Sequence, residues 1–407
     1  MTRVNRRRFL ETAAGASGAL AARPLFAAQG PGRASEIVVV GAGAFGGWTA
    51  LYLREMGHTV TLIDQYGPGN SRATSGGESR QIRAVYGERE IYTKWVLQAF
   101  ERWQAREAEW GKKLFYRTGQ LSMAPAWTRE MTETRKVFDR LGVRYAVLSH
   151  DDLARQYPQI AARDIEAVMS TPGTGVLKAR EGCVAVAQAF EKKGGRFVTA
   201  KVELGARAGG SLRDVALSTG QRVAAQTFVF ACGPWLPKVF PAVMKNKLET
   251  PRRAVFFYGT PPGDQRFTYP NFPTWSVDNA YGFPCIEGRG FKVVPTFARE
   301  LVDPDTQEHS LTADELRQGR AFADKWFPGL AKQPLVDARI CQREDSVDDH
   351  FIVQPHPELA NVWIVGGGSG HGYKHGIMLG DYVAHRVVGN DTQPELAATF
   401  SLKRQTF

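Results

Sequence analysis

The chain has 407 residues, 23% of them charged and 43% hydrophobic, a balance that excludes a disordered chain or a low-complexity fibre and suits two to three domains. Four cysteines, Cys183, Cys232, Cys285 and Cys341, with no CxxC pair, exclude a disulfide scaffold and a structural zinc site, and no stretch reaches the ~18 apolar residues of a membrane span. Of the net charge of +11, residues 1–28 hold +4 (five Arg, one Glu), leaving a moderate +7 with no Lys/Arg run interleaved with aromatics. Nucleic acid is therefore not an expected partner, and anionic small molecules are.

Asn5-Arg6-Arg7-Arg8-Phe9-Leu10 precedes a weakly apolar run rich in Ala and Gly that ends near Ala27-Ala28. Adjacent arginines, Phe-Leu and a mild apolar region form the pattern of a twin-arginine export signal. The expectation is an exported or periplasmic protein that meets the twin-arginine machinery during transport and has no stable membrane insertion. Residues 1–34 are set aside as signal and linker.

Glu36 to Val40 is a short β-branched run, as in a buried parallel strand. Gly41-Ala42-Gly43-Ala44-Phe45-Gly46 follows at once and matches G-x-G-x-x-G. Gly47 to Gly57 reads as a helix. Thr59 to Ile63 reads as a second strand ended by Asp64, 23 residues after Gly41. Gly41 allows the tight turn, Gly43 lets a pyrophosphate approach the backbone, and Gly46 lets the helix pack on the strand. The helix N-terminus attracts the phosphates, and Asp64 accepts hydrogen bonds from ribose hydroxyls. The unit predicts dinucleotide binding and does not separate NAD from FAD.

Residues 90–110 place Trp95, Phe100 and Trp103 at helical spacing as core contacts. Gly182 to Lys193 reads as a helix, Arg196 to Val202 as a strand, and Thr227 to Ala231 as a buried strand. Residues 247–300 are aromatic-rich and alternate, as in an antiparallel sheet. Val362 to Val365 is a last buried strand, running into a Gly-rich segment and a helix from about Ile377. The outline is an α/β nucleotide domain assembled from separated segments with an antiparallel-sheet domain inserted. Its segments are 35–115, 172–246 and 336–390 for the first domain, 116–171 and 247–335 for the second, and a tail at 391–407. Cys232 and Cys285 read as structural. His371 and His375 lack carboxylate partners at ligand spacing, so no metal is expected.

Four motifs in this order resemble the flavin amine oxidases of the D-amino-acid oxidase superfamily, in particular the branch of monomeric sarcosine oxidases and N-methyl amino acid oxidases. They are the Gly41 fingerprint, Ser79-Arg80-Gln81-Ile82-Arg83, Tyr281-Gly282-Phe283-Pro284 with Lys292, and Cys341 through Asp349-His350-Phe351, His356-Pro357 and Ser369-Gly370-His371-Gly372-Tyr373-Lys374. The resemblance covers the chain after residue 34 and implies a Rossmann-type FAD-binding domain, built from discontinuous segments, with an antiparallel-sheet substrate domain. It implies that Gly41, Gly43, Gly46, Asp64, Ser75, Ser79, Arg80, Val202, Cys341, Gly370, Gly372 and Lys374 contact FAD. Cys341 matches the position that forms a thioether to the flavin 8α-carbon, although Gln342-Arg343-Glu344 after it departs from the family's hydroxyl and aromatic pattern. The resemblance implies that Arg83 and Lys374 hold the substrate carboxylate, that Arg80 lies over one flavin face, and that Tyr281 lines the substrate cavity. It further implies that Lys292, 11 residues after Tyr281, assists reaction with O2. Thr296 stands where sarcosine oxidases carry a His, so the cavity polarity differs.

The expected activity is FAD-dependent oxidation of a secondary or N-substituted amino acid, with O2 reduced to H2O2. Two alternatives stay open: an exported dehydrogenase that passes electrons to a quinone or cytochrome, and a flavin-binding protein without amine turnover.

Overall fold

The computed structural model describes residues 35–403 and 406–407, and the expected export signal lies outside the described residues. The first three segments of the nucleotide unit are strand Ser35–Val40, helix Ala44–Glu55, which starts three residues before the expected Gly47, and strand Val60–Asp64. Four parallel pairings align Arg196–Thr199, Val60–Asp64, Ser35–Val40, Arg222–Phe230 and Val362–Gly366. Val38, Val39, Leu62, Ile63, Phe228, Val229 and Ile364 in these strands are fully buried. Burial on both faces is why these strands are continuous apolar runs rather than alternating ones. Antiparallel strands Val202–Leu204, Asp214–Leu217 and Ile352–Pro355 extend the sheet.

A second eight-stranded sheet runs in the order Leu335–Gln342, Arg252–Tyr258, Phe291–Val294, Ala280–Phe283, Thr274–Val277, Gln120–Ala124, Ala167–Thr171, Ala146–Leu148. Its pairings are antiparallel except that of Thr274–Val277 with Gln120–Ala124, which is parallel and makes the sheet mixed. Alternation sorts its residues onto two faces. Leu121, Trp275, Phe256, Phe291, Val293 and Ile340 join Ala323, Trp326 and Phe327, in and just after the helix Ala313–Trp326, in one core. The other set, which includes Ser122, Ser276, Tyr281, Val255, Arg253 and Cys341, lines a cavity. Register keeps this set together, because Ser122 pairs with Ser276, Ser276 with Tyr281, and Arg253 with Cys341. A small sheet of Ser79–Ile82, Gly175–Lys178 and Phe115–Tyr116 carries Arg80 to the same cavity.

Three further expectations need correction. The stretch read as one strand from Arg196 to Val202 is two strands, Arg196–Thr199 and Val202–Leu204, interrupted at Ala200-Lys201. The strand read as Thr227 to Ala231 begins five residues earlier, at Arg222, because its polar first half pairs with Asp214–Leu217 at the sheet edge. The helix expected from about Ile377 begins at Gly372. Glycine disfavours a helix interior by about 1 kcal/mol, and here tertiary packing overrides that preference. Gly372, Gly376 and Gly380 form a stripe at four-residue spacing against the Ala44–Glu55 helix. A Cβ on Gly372 would stand 2.7 Å from Phe45 Cζ, one on Gly376 2.5 Å from the Ala44 carbonyl oxygen, and one on Gly380 2.7 Å from the Trp48 carbonyl carbon. The two helices approach until backbone nearly meets backbone, and only glycine permits it.

This approach generates a sign test. In an exposed helix, Gly380→Ala would stabilise by up to about 1 kcal/mol. Here the added methyl group collides with main chain, and overpacking of this kind costs about 1–3 kcal/mol. Urea unfolding of G380A should show a net loss of stability, and a gain would refute the close approach.

Candidate active site

The cavity has a volume of about 1280 Å³ and begins at the glycine loop. Gly41 has φ +107°, and a Cβ there would come within 2.8 Å of the Ala231 carbonyl carbon, so the turn requires glycine. Gly43 caps the Ala44–Glu55 helix without a side-chain partner for the first amides, which leaves N–H donors aimed where phosphate is attracted. Asp64 braces the loop: one carboxylate oxygen accepts from the Ala42 N–H at 2.8 Å, the other from the Tyr66 N–H at 2.9 Å. From here the cavity passes Ser75 and Val202 and reaches Gly370, Gly372 and Lys374, with Arg80, Arg83, Tyr281 and Cys341 around its far end.

Two cations at that end share one tyrosine. The Arg83 guanidinium sits 4.6 Å from the Tyr86 ring centroid and donates to the Val85 carbonyl. Lys374 Nζ donates to the Tyr86 hydroxyl and to the His371 carbonyl, both at 3.0 Å. The Tyr86 hydroxyl lies 2.8 Å from His375 Nε2. Burial, and then the Arg83 charge, hold the Lys374 pKa well below the ordinary lysine value. Burial and the Lys374 charge likewise keep His371 and His375 neutral. Neither Arg83 nor Lys374 has a carboxylate partner among the described residues. An incoming carboxylate would compensate the Arg83 charge and at the same time favour a proton on Lys374.

Cys341 lies 4.0 Å from Arg80 Nη2. Burial pushes the thiol up, while Arg80, Arg339 and Lys292 pull it down by more, so its pKa falls below the ordinary value. For Arg80, burial opposes the charge, and Cys341 and Tyr281 more than offset it. A thiolate in that setting is a competent nucleophile.

Three predicted site residues do not line the cavity. Gly46 faces Ala231, where its role is helix-to-strand packing. Ser79 turns away from the cavity and accepts from Lys292 Nζ with both its carbonyl, at 3.0 Å, and its hydroxyl, at 3.1 Å. Lys292 is buried, 4.5 Å from the centroid of Phe283, and borders a separate cavity of about 40 Å³. Burial and then the Arg80 charge hold its pKa well below the ordinary lysine value. Cys232, read as structural, borders the cavity at the glycine-loop end. Among the described residues no cluster of three or more His, Cys, Asp or Glu could hold a metal ion, and no helix is long and apolar enough to cross a membrane.

Tyr86 and Glu344 escaped the sequence reading as site residues. Tyr86 sits in an apolar Ala-Val-Tyr run that reads as core, and its role depends on partners almost 290 residues away. Glu344 lines the cavity although it is buried, and accepts from the Gly367 N–H at 2.6 Å. Burial raises its pKa to about 8, against the backbone hydrogen bonds that lower it. Its signal was present as the departure Gln342-Arg343-Glu344.

A family model described as FAD dependent oxidoreductase (DAO) matches residues 36–386, and the chain belongs to that family. A monomeric sarcosine oxidase from Bacillus sp. (strain B-0618) is 28% identical over 379 residues, spanning 91% of this chain and 96% of that one. The N-methyl-L-tryptophan oxidase of Yersinia pestis (strain Pestoides F) is 25% identical over 377 residues, 91% and 99% of the two chains. The structure of L-proline dehydrogenase from P. horikoshii superposes with a TM-score of 0.81 at 18% identity, over 92% of this chain and 98% of that one, and shows the same fold. The cofactor is therefore FAD, which resolves the choice that the glycine motif leaves open. The residues fit it: a turn that admits no Cβ, uncapped helix amides for the pyrophosphate, Asp64 at the ribose end, and an elongated cavity ending in cations and a second glycine turn.

Glu344 supplies a pH test. Its folded-state pKa of about 8 lies above the ordinary 4.5, so the folded protein keeps this proton after the unfolded chain has lost it. The stability it contributes is fully present below pH 4.5 and is lost as pH rises through 8. Thermal unfolding of the purified protein between pH 5 and 9 should show wild type losing more stability than Glu344→Gln. Parallel curves would show that Glu344 is ionised throughout.

Proposed function

We propose that the protein oxidises a secondary or N-substituted amino acid at the C–H next to nitrogen and reduces O2 to H2O2. The observation that carries this reading is the pair Arg83 and Lys374, brought from sequence positions 291 residues apart onto Tyr86, in the same cavity as the dinucleotide loop. Relatives named sarcosine oxidase and N-methyl-L-tryptophan oxidase, which act on N-methyl amino acids by those names, support it. FAD supplies the acceptor for two electrons and passes them on to O2. The protein's own part is to bind and orient. Arg83 and Lys374 grip the carboxylate and so fix which C–H is presented. Tyr86 sets the distance between those two cations, and Tyr281 walls the substrate end. The substrate loses a hydride equivalent to give an imine, which water hydrolyses to an amine and a carbonyl compound. Cys341, with its lowered pKa, is the proposed attachment point to the flavin 8α-carbon. Arg6 to Leu10 support export by the twin-arginine route to the periplasm.

A second reading, in which a quinone or cytochrome takes the electrons, is favoured by the position of Lys292. The residue expected to assist O2 is tied to Ser79 and does not open onto the main cavity.

Anaerobic addition of sarcosine, other N-methyl amino acids, proline and glycated amino acids to the yellow protein should bleach the flavin with at least one class, and air should restore the colour. Bleaching without recovery in air selects the second reading, and no bleaching refutes amine oxidation. Arg83→Gln or Lys374→Met should raise the amino acid concentration for half-bleaching by roughly one to two orders of magnitude, since a hydrogen bond to a charged group contributes about 1.5–3 kcal/mol. The same sample precipitated in acid should keep its colour in the pellet, and Cys341→Ser should release it. For export, Arg7→Lys with Arg8→Lys should shift the protein from the periplasmic to the cytoplasmic fraction; an unchanged distribution would sink the export reading.

A further inference from the structure

Beyond Arg83 and Lys374, the cavity wall carries Arg253, whose side-chain hydrogen-bond partners among the described residues are all neutral. Arg253 and Cys341 are register partners in neighbouring antiparallel strands, so their side chains share the face that carries Val255 and Tyr281 into the cavity. Around Arg253 stand Arg343 and Arg299. These two take the available carboxylates: Arg343 binds Asp345 at 2.8 Å, and Arg299 binds the other Asp345 oxygen at 3.1 Å and also pairs with Glu249. Three arginines thus share two carboxylates, and Arg253 is the one left over. Its Nη1 donates to the Pro295 carbonyl at 3.3 Å and the Thr296 hydroxyl at 3.1 Å, both neutral. Thr296 is itself held by the Asn279 carbonyl. Nε and Nη2 have no hydrogen-bond partner among the described residues. One edge of the guanidinium is therefore anchored and the other is free for a bidentate acceptor. The remaining acids at this end, Glu130 and Asp278, are exposed, and Asp278 lies 3.4 Å from Lys325. Burial works against the Arg253 charge, Arg343 and Arg299 add to that effect, and Tyr281 and Asp345 offset part of it.

We infer that the substrate is an N-substituted amino acid with a second carboxylate, the first held by Arg83 and Lys374 and the second by Arg253. This inference rests on the amino acid reading above and narrows it. A planar guanidinium with two free N–H groups on one edge matches a carboxylate better than an ammonium, hydroxyl or apolar tail.

The test compares N-methyl-L-alanine with N-methyl-L-aspartate, N-methyl-L-glutamate and N-methyl-L-2-aminoadipate as reductants of the flavin in wild type and in Arg253→Gln. At least one diacid should exceed N-methylalanine in kcat/KM by 10-fold or more. Arg253→Gln should remove that preference while keeping N-methylalanine within about threefold of wild type, which also shows that the variant folds. No diacid preference in wild type, or equal losses on both substrate types in the variant, would overturn the inference. If no amino acid bleaches the flavin, the parent reading fails, and calorimetry then decides this one separately. The dicarboxylate thiodiglycolate should bind the holoenzyme at least 10-fold more tightly than (methylthio)acetate, with the difference absent in Arg253→Gln. Equal binding of the two would overturn it.

Discussion

Everything at the cofactor end depends on how closely two helices can approach. The Ala44–Glu55 helix follows the glycine loop, and the Gly372–Val387 helix follows the second glycine turn, more than 300 residues later. Gly372, Gly376 and Gly380 bring the second helix against Phe45, Ala44 and Trp48 with no room for a β-carbon. That contact aligns both helix N-termini on one cavity. Larger residues would separate the glycine turns, and amides that face one elongated ligand from its two ends would no longer face it. The helix forms despite three glycines because burial of Ile377, Met378 and Leu379 and their neighbours outweighs propensity.

The substrate end is governed by the cost of unpaired charge. Arg80, Arg83, Arg253 and Lys374 line the cavity without a carboxylate partner among the described residues. Holding cations in this state is unfavourable for the protein alone, and it pre-organises the site for anions. Burial, and then the Arg83 charge, depress the Lys374 pKa, whereas at Cys341 burial pushes the thiol up and Arg80 and Arg339 more than offset it. Glu344 answers in the opposite sense because burial outweighs the backbone hydrogen bonds that lower its pKa.

The parts of this arrangement legible in the sequence are those set by local geometry. Gly41, Gly43 and Asp64 stand where a strand, a turn and a helix must bring them, whatever surrounds them. Arg83, Lys374, Tyr281 and Cys341 were legible through the resemblance, and the structure gathers them in one cavity. The roles assigned to Ser79 and Lys292 came from the same motifs, but their orientation did not. Lys292 lies on the cavity face of its strand, and only the packing of Ser79–Ile82 against that strand reveals that Ser79 covers it. Tyr86 and Glu344 were hidden for a related reason. Each is defined by partners distant in sequence; Tyr86 has no local pattern that separates it from ordinary core, and Glu344 shows in the sequence only within the departure Gln342-Arg343-Glu344.

The alternating face of the large sheet has a consequence for how this protein can diverge. Cavity-facing positions such as Ser122, Ser276, Tyr281 and Arg253 are each flanked in sequence by residues of the hydrophobic core, such as Leu121, Trp275, Ala280 and Ala254. A point substitution at a facing position alters chemistry seen by the substrate and leaves the neighbouring core side chain where it was. An insertion or deletion of one residue in the same strand exchanges the two sets and destroys both. Specificity in this scaffold is thus free to drift by replacement and closed to change in length, so descendants with new substrates would keep the strand lengths seen here while their facing residues diverge.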